Sequence, residues 1–446
     1  MRTATLALAA LVLGATAGRS PAAEPAKPEA KTAPPLAGLP SKPGPHIEQI
    51  EALGDNAWLK LPETAADPDC PSWRGRSYGR SWSPKAAYVA ELGGAFITGE
   101  AAHCGTDNKT GYYGDDVWFY DLYANRWIAI YPGTHIPSFE GKLKSGELTI
   151  DDGGILHDKT GMPVPAGTMS GHAGFLLDYD RANRKFLWAG STCGWLTGGL
   201  RPPYEAAVKA QGKPKAPTGI WLYDLATGKF EHQRYAGLPY KTTNFNFLQY
   251  VPSTGTVMDC DLKGQEWWVD LKAGTAKKVK AGGDRPPSGS AYGSCYDSKR
   301  DRVYVFGAAG YGVKKEEWVP EDHFFYYDVK AASWVKPKAR NSPALSNFGW
   351  GRWMMEYDSV HDRVMVMYII HQGTPQEDRN IHAYDPESNE FEKPIPVTDK
   401  ELPTGFAHSF FCPELNAYFI HSARGDNQTG NTWVWRYKRA PDKKQP

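Results

Sequence analysis

At 446 residues the chain has room for two or three ordinary domains or for one large all-β domain. Aromatic residues are 13% of the chain, with 16 Trp and 24 Tyr, and Gly (46) and Pro (35) are abundant, a combination that fits many turns and few long helices. Lys plus Arg (51) nearly cancels Asp plus Glu (50), and a formal charge of +1 supplies no field for a nucleic-acid partner.

Met1 and Arg2 give a short basic start, followed by an Ala/Leu-rich run from Thr3 to Gly18. Ala15-Thr16-Ala17 and Pro21-Ala22-Ala23 offer small-residue cleavage sites, so residues 1–23 read as a signal peptide. The run is shorter than the roughly 20 apolar residues that span a bilayer, and no second run exists, so no membrane insertion is expected. No cysteine follows it, which argues against a lipoprotein. Residues 24–45 are rich in Pro, Ala and Lys and read as a disordered spacer. A single domain over 46–440 and a disordered tail over 441–446 complete the chain, which is expected to be periplasmic or secreted and to act as a monomer.

Four segments then share one frame: WFYDLYANRW (118–127), WLYDLATGKF (221–230), FYYDVKAASW (325–334) and HAYDPESNEF (382–391). Each has an apolar strand ending in Tyr-Asp, a short polar turn, and an aromatic six residues after the Asp. WWVDLKAGTA (267–276) is a degenerate copy that keeps Asp270 and loses the aromatic. An apolar hairpin precedes each copy, so each unit reads as four short strands, a to d. A lone four-stranded sheet leaves two faces to cover, and repeated units solve this by packing on one another. Trp127, Phe230, Trp334 and Phe391 are suited to inter-blade packing, and the Asp to capping the c–d turn with its own side chain.

The last unit supplies strands a, b and c and then stops. Asn56 to Leu61, at the start of the domain, resembles the missing fourth strand. The expected fold is therefore an all-β, six-bladed kelch-like β-propeller closed by the N-terminal strand joining the C-terminal blade. The long interval between Asp121 and Asp224 has room for a seventh blade, but only one apolar hairpin lies in it, which favours insertions.

The repeat resembles the kelch family along most of residues 50–438. The family's double glycine after strand b is reduced here to Gly99-Glu100, Gly190-Ser191 and Gly307-Ala308, while the Tyr-Asp…Trp half is well kept. The likeness to secreted six-bladed kelch proteins such as N-acetylneuraminate epimerase implies sugar isomerisation or mutarotation as one activity. An oxidase resembling galactose oxidase would require Tyr, Cys and two His converging in the channel, and these residues do not align to that motif.

Six cysteines lie beyond the signal region, at 70, 104, 193, 260, 295 and 412, and none forms a C-x-x-C pair, which argues against structural zinc. Cys104 is placed to pair with Cys70 or Cys193, while Cys295 and Cys412 sit in apolar runs and read as buried thiols. Gly75-Arg-Ser-Tyr-Gly79 matches G-x-S-x-G without the strand-turn-helix setting that a nucleophile elbow needs. Asp115-Asp116 lacks a spaced set of oxygen ligands for calcium. No residue is assigned to a metal site, and the sequence does not identify a cofactor.

In a propeller the a–b and c–d turns share one rim, and the b–c and d–a connections share the other. The a–b and c–d turns here are short. Extra length lies in the b–c loops (100–116, 191–218, 308–322, 370–380, 422–431) and in one d–a loop (131–170), which makes the long-loop rim the expected working face. Its candidate ligand-binding residues are Arg76, His103, Tyr113, His172, Trp195, Tyr311, Trp350, Arg352, His408 and Arg424. Aromatic platforms with Arg and His suit a carbohydrate or similar polar ligand. An enzyme on the same rim, epimerase- or mutarotase-like or oxidase-like, is the first alternative, with His172 and His408 as acid and base. A protein-interaction scaffold is the second.

Overall fold

Every Tyr-Asp copy forms the third strand of an antiparallel sheet in the computed structural model. The structure describes residues 35–72, 75–76, 85–98, 110–168, 177–193, 198–235, 247–260, 266–286, 293–307, 323–343, 353–368, 380–397, 406–423 and 431–440. Blade one is Ala87–Val89, Gly94–Thr98, Val117–Asp121 and Arg126–Tyr131 in the order a to d. Blade two is Leu177–Asp180, Lys185–Gly190, Gly219–Asp224 and Lys229–Gln233. Blade three is Phe247–Val251, Thr256–Cys260, Glu266–Asp270 and Thr275–Val279. Blade four is Gly293–Asp297, Arg302–Phe306, Phe324–Asp328 and Ser333–Val335, and blade five is Trp353–Asp358, Arg363–Tyr368, Asn380–Asp385 and Glu390–Phe391.

Blade six joins the two ends of the domain. Phe406–Cys412, Ala417–Ala423 and Asn431–Arg436 are followed outward by Ala57–Lys60, which pairs antiparallel in the register Trp58 to Trp435 and Leu59 to Val434. The a strands of successive blades lie side by side around the ring, and blade one meets both blade two and blade six. The propeller has six blades, and the N-terminal strand closes it.

The repeat residues do what their chemistry suggests. Asp224 Oδ1 accepts from the Ala226 and Thr227 amides at 2.8 and 3.0 Å, and Asp270 Oδ1 from the Lys272 and Ala273 amides at 3.0 and 2.8 Å. Asp121, Asp328 and Asp385 cap their c–d turns in the same way. The Tyr ahead of each Asp packs across the sheet against the aromatic of strand d in tilted or edge-on contact, with ring centres 5.0 Å apart for Tyr120–Trp127, 5.2 Å for Tyr223–Phe230, 5.4 Å for Tyr327–Trp334 and 5.1 Å for Tyr384–Phe391. Trp58 and Trp435 repeat the pair at the closure, at 5.9 Å. Neighbouring blades share these rings. Phe391 of blade five meets Phe324 of blade four at 5.0 Å, and Phe230 of blade two meets Tyr131 of blade one at 6.1 Å.

The room between Asp121 and Asp224 is filled by insertions rather than a seventh blade. They comprise α2 (Ile136–Ser145), a hairpin of Leu148–Ile150 with Leu156–Asp158, and α3 (Arg201–Ala210). A third helix, α1 (His46–Glu51), buries Ile47 and Ile50 and sets His46 Nε2 2.8 Å from the Leu122 carbonyl. The composition assigned 24–45 to a spacer, yet residues 35–45 lie against blade one. Leu36 is buried among Val89 and Leu92, Ser41 Oγ donates to Asp121 Oδ2 at 2.6 Å, and the Gly44 amide donates to the Tyr123 carbonyl at 2.8 Å. A few apolar anchors suffice to dock a Pro-rich strap when a finished surface is there to receive it.

Candidate functional site

Because the strands alternate in direction, the a–b and c–d turns lie on one rim and the b–c and d–a connections on the other. Each a–b turn contains one left-handed residue that lets it close tightly: Gly93, Arg184, Gly255, Asp301, Asp362 and Asn416. The long connections of blades one and two fold together on the opposite rim. Their satellite core holds Tyr113, Phe139, Leu156, Cys193 and Tyr204, and α2 packs against α3. Asp115 pins this extension: its carboxylate accepts from Thr134 N at 2.8 Å and Thr134 Oγ1 at 2.6 Å, and the Gly167 amide completes the set. Burial pushes the Asp115 carboxyl up to about 7 against those bonds.

Three of the ten expected ligand-binding residues fall among the described ones, and they do not converge. Arg76, a quarter exposed, is hydrogen-bonded to Glu63. Tyr113 is 2% exposed and belongs to the satellite core. His408 is 1% exposed, paired across the sheet with His421 at a ring distance of 5.0 Å, and Trp127 of blade one meets His421 edge-on. His408 thus fills the joint between blades six and one. His103, His172, Trp195, Tyr311, Trp350, Arg352 and Arg424 lie outside the described residues. Cys295 and Cys412 are buried thiols as expected, and Cys70 and Cys193 are free thiols as well, while Cys104 lies outside the described residues. Gly75 adopts φ +71°, and a Cβ there would meet the Asp67 carbonyl oxygen at 2.1 Å, so the turn itself demands this glycine.

The inner strands also build a polar centre that the sequence reading passed over. Side chains alternate along strand a. In each of blades one to five the penultimate residue is a tyrosine (Tyr88, Tyr179, Tyr250, Tyr296, Tyr357), and in blade six it is Phe411. One position deeper stand Asp178, Gln249, Cys295 and Glu356 in blades two to five. Lys85, just ahead of blade one, crosses to this level: its Nζ donates to Asp178 Oδ2 at 3.0 Å, the Leu248 carbonyl at 2.9 Å and Gln249 Oε1 at 3.4 Å. Asp178 Oδ2 also accepts from Gln249 Nε2 at 2.8 Å and Tyr250 N at 2.6 Å. Ser409 Oγ donates to Glu356 Oε1 at 3.1 Å. Burial dominates at Glu356 and pushes its carboxyl up to about 8, against the Ser409 bond and the Lys85 charge; Asp178 adds to the rise. Glu356 is therefore mostly protonated at neutral pH, while Lys85 and Asp178 compensate each other.

These groups line a cavity of roughly 190 Å³ rimmed by the a–b turns, with Arg181, Pro252, Ser298, Ser359 and Pro413 around its mouth. It opens on the tight-turn rim, the opposite end from the long loops. The signal was present in the sequence as LDYD, LQYV, SCYD and MEYD, which place a polar or thiol side chain one residue ahead of a tyrosine in four hairpins. Among the described residues no group of three or more His, Cys, Asp or Glu is arranged to hold a metal, and no helix is long and apolar enough to cross a membrane. No protein-family model matches the chain, and no curated protein matches it in sequence.

Proposed function

We propose that the protein is an exported, monomeric kelch-like propeller that binds a carbohydrate or similar polar ligand on its long-loop rim. One observation carries this reading: the ring topology puts every b–c and d–a connection at one end, where the chain has concentrated its extra length, and leaves tight turns at the other. By sequence, those connections hold His103, His172, Trp195, Tyr311, Trp350, Arg352 and Arg424. Aromatic faces accept the C–H faces of a sugar ring, and Arg supplies planar paired donors for hydroxyl or carboxylate oxygens. The kelch likeness is supported by the Tyr-Asp…aromatic frame, and export by residues 1–23.

A thermal-shift screen of the processed protein against mono- and oligosaccharides tests the reading, since a ligand that binds only the native state raises Tm. The expected result is a rise with one class of sugar. The affinity for that class should fall tenfold or more in Trp350→Ala and Arg352→Ala. No shift with any sugar, or a shift indifferent to both substitutions, overturns it.

A further inference from the structure

We propose that the tight-turn mouth of the central channel is a second binding site, and that it takes a neutral polyhydroxylated molecule of monosaccharide size. This goes beyond the long-loop reading and does not depend on it. The argument begins with the walls. Tyr88, Tyr179, Tyr250, Tyr296, Tyr357 and Phe411 place one aromatic side chain from each blade on the same cavity. Four of the hydroxyls are tied to acids of the a–b turns: Tyr179 donates to Glu91, Tyr88 to Glu414 at 2.7 Å, Tyr296 to Asp301 at 2.9 Å and Tyr357 to Asp362 at 3.0 Å. Those bonds hold the rings in place before any ligand arrives, so little side-chain freedom is lost on binding.

The floor selects by charge. Lys85 and Asp178 are paired at 3.0 Å, so the charge of each is compensated by the other and neither is left free to hold an ion. Glu356 adds little charge at neutral pH because burial pushes its carboxyl upward. What remains on the floor is a set of donors and acceptors from Gln249, Ser294, Glu356 and the compensated Lys85–Asp178 pair, beneath aromatic walls, with the Arg181 guanidinium out at the mouth. That pairing of apolar faces with a few fixed polar groups is how small-molecule pockets bind and orient ligands. A volume of roughly 190 Å³ matches a single sugar ring.

Calorimetric titration of the full-length processed protein with glucose, galactose, N-acetylglucosamine and myo-inositol tests the site. Ser298 and Ser359 are exposed turn residues on the rim of the cavity, so Ser298→Trp and Ser359→Trp obstruct the mouth while leaving the strands intact. The expected result is one-to-one binding of at least one probe, weakened tenfold or more by at least one tryptophan, with unfolding midpoints close to that of the parent. Binding of none of the four overturns the proposal, as does binding indifferent to both tryptophans. Trp350→Ala, which by sequence falls in the d–a connection ahead of blade five, separates the two readings: heat lost with that substitution alone belongs to the long-loop reading and counts against the second site.

Discussion

Trp334 shows how one repeat side chain serves two blades. Its ring lies 5.4 Å from Tyr327 in its own sheet, while Nε1 donates to Glu266 Oε1 of blade three at 2.6 Å. Glu266 is fully buried and also takes Arg285, whose Nη1 donates at 3.0 Å, so the carboxylate is compensated on both sides. Trp334→Phe is expected to keep most of the packing and to cost about 1–2 kcal/mol through the lost hydrogen bond. Trp334→Ala is expected to cost about 3–5 kcal/mol, because the joint between the blades cannot collapse around the gap. Urea unfolding measures both, and equal losses would mean that the packing of the ring contributes nothing beyond the hydrogen bond. The aromatic role of this position was legible from its spacing after Asp328. Its buried acidic partner was not, because Glu266 and Trp334 meet only across the blade interface.

The a–b turns are joined to one another as well as closed on themselves. Between blades four and five, Arg300 donates through Nη1 and Nη2 to Asp362 at 2.6 and 2.7 Å and reaches back to Asp297 at 3.0 Å, while Lys299 bonds Asp362 at 2.5 Å. The Arg300 bonds, ahead of all other influences, hold the Asp362 carboxyl well below the ordinary carboxylate range. A depressed carboxyl binds its proton less tightly in the folded than in the unfolded chain, so its contribution is complete above the unfolded value near 4 and fades as pH falls below it. Asp362→Asn is expected to destabilise by about 1–3 kcal/mol at pH 7, with the gap from the parent narrowing in acid below that value. Paired urea titrations at pH 7 and pH 3 check this, and a gap that widens in acid would contradict it. The short, acid-bearing turns could be read from the sequence. Their linkage between blades could not, since it depends on the rotation from one sheet to the next.

At the scale of the whole molecule, the ring is held shut by four residues, Ala57–Lys60, on the edge of blade six. Deleting the chain through Lys60 would expose the Asn431–Arg436 edge, which carries Trp433, Val434 and Trp435, and would remove Trp58 from its place beside Trp435. An apolar open edge is a template for pairing with another chain. The truncated protein is therefore expected to self-associate or lose its cooperative melt, as read by light scattering and circular dichroism; a monomer with parental melting would show that closure is dispensable. By itself the sequence determined the all-β class, six blades, the Tyr-Asp turn caps and the closing strand, because each is written within one chain segment or as a repeat of it. Tertiary structure alone decided that residues 35–45 form a strap, that Tyr113 and His408 sit in cores, and that the described polar cavity opens on the tight-turn rim. The physical reason is radial. A strand's own pattern tells which side chains alternate, but the axis is lined by one strand from each blade, and those strands lie far apart in the chain. A tyrosine in strand a and one in strand c look alike until ring closure sets one beside the channel and the other between sheets.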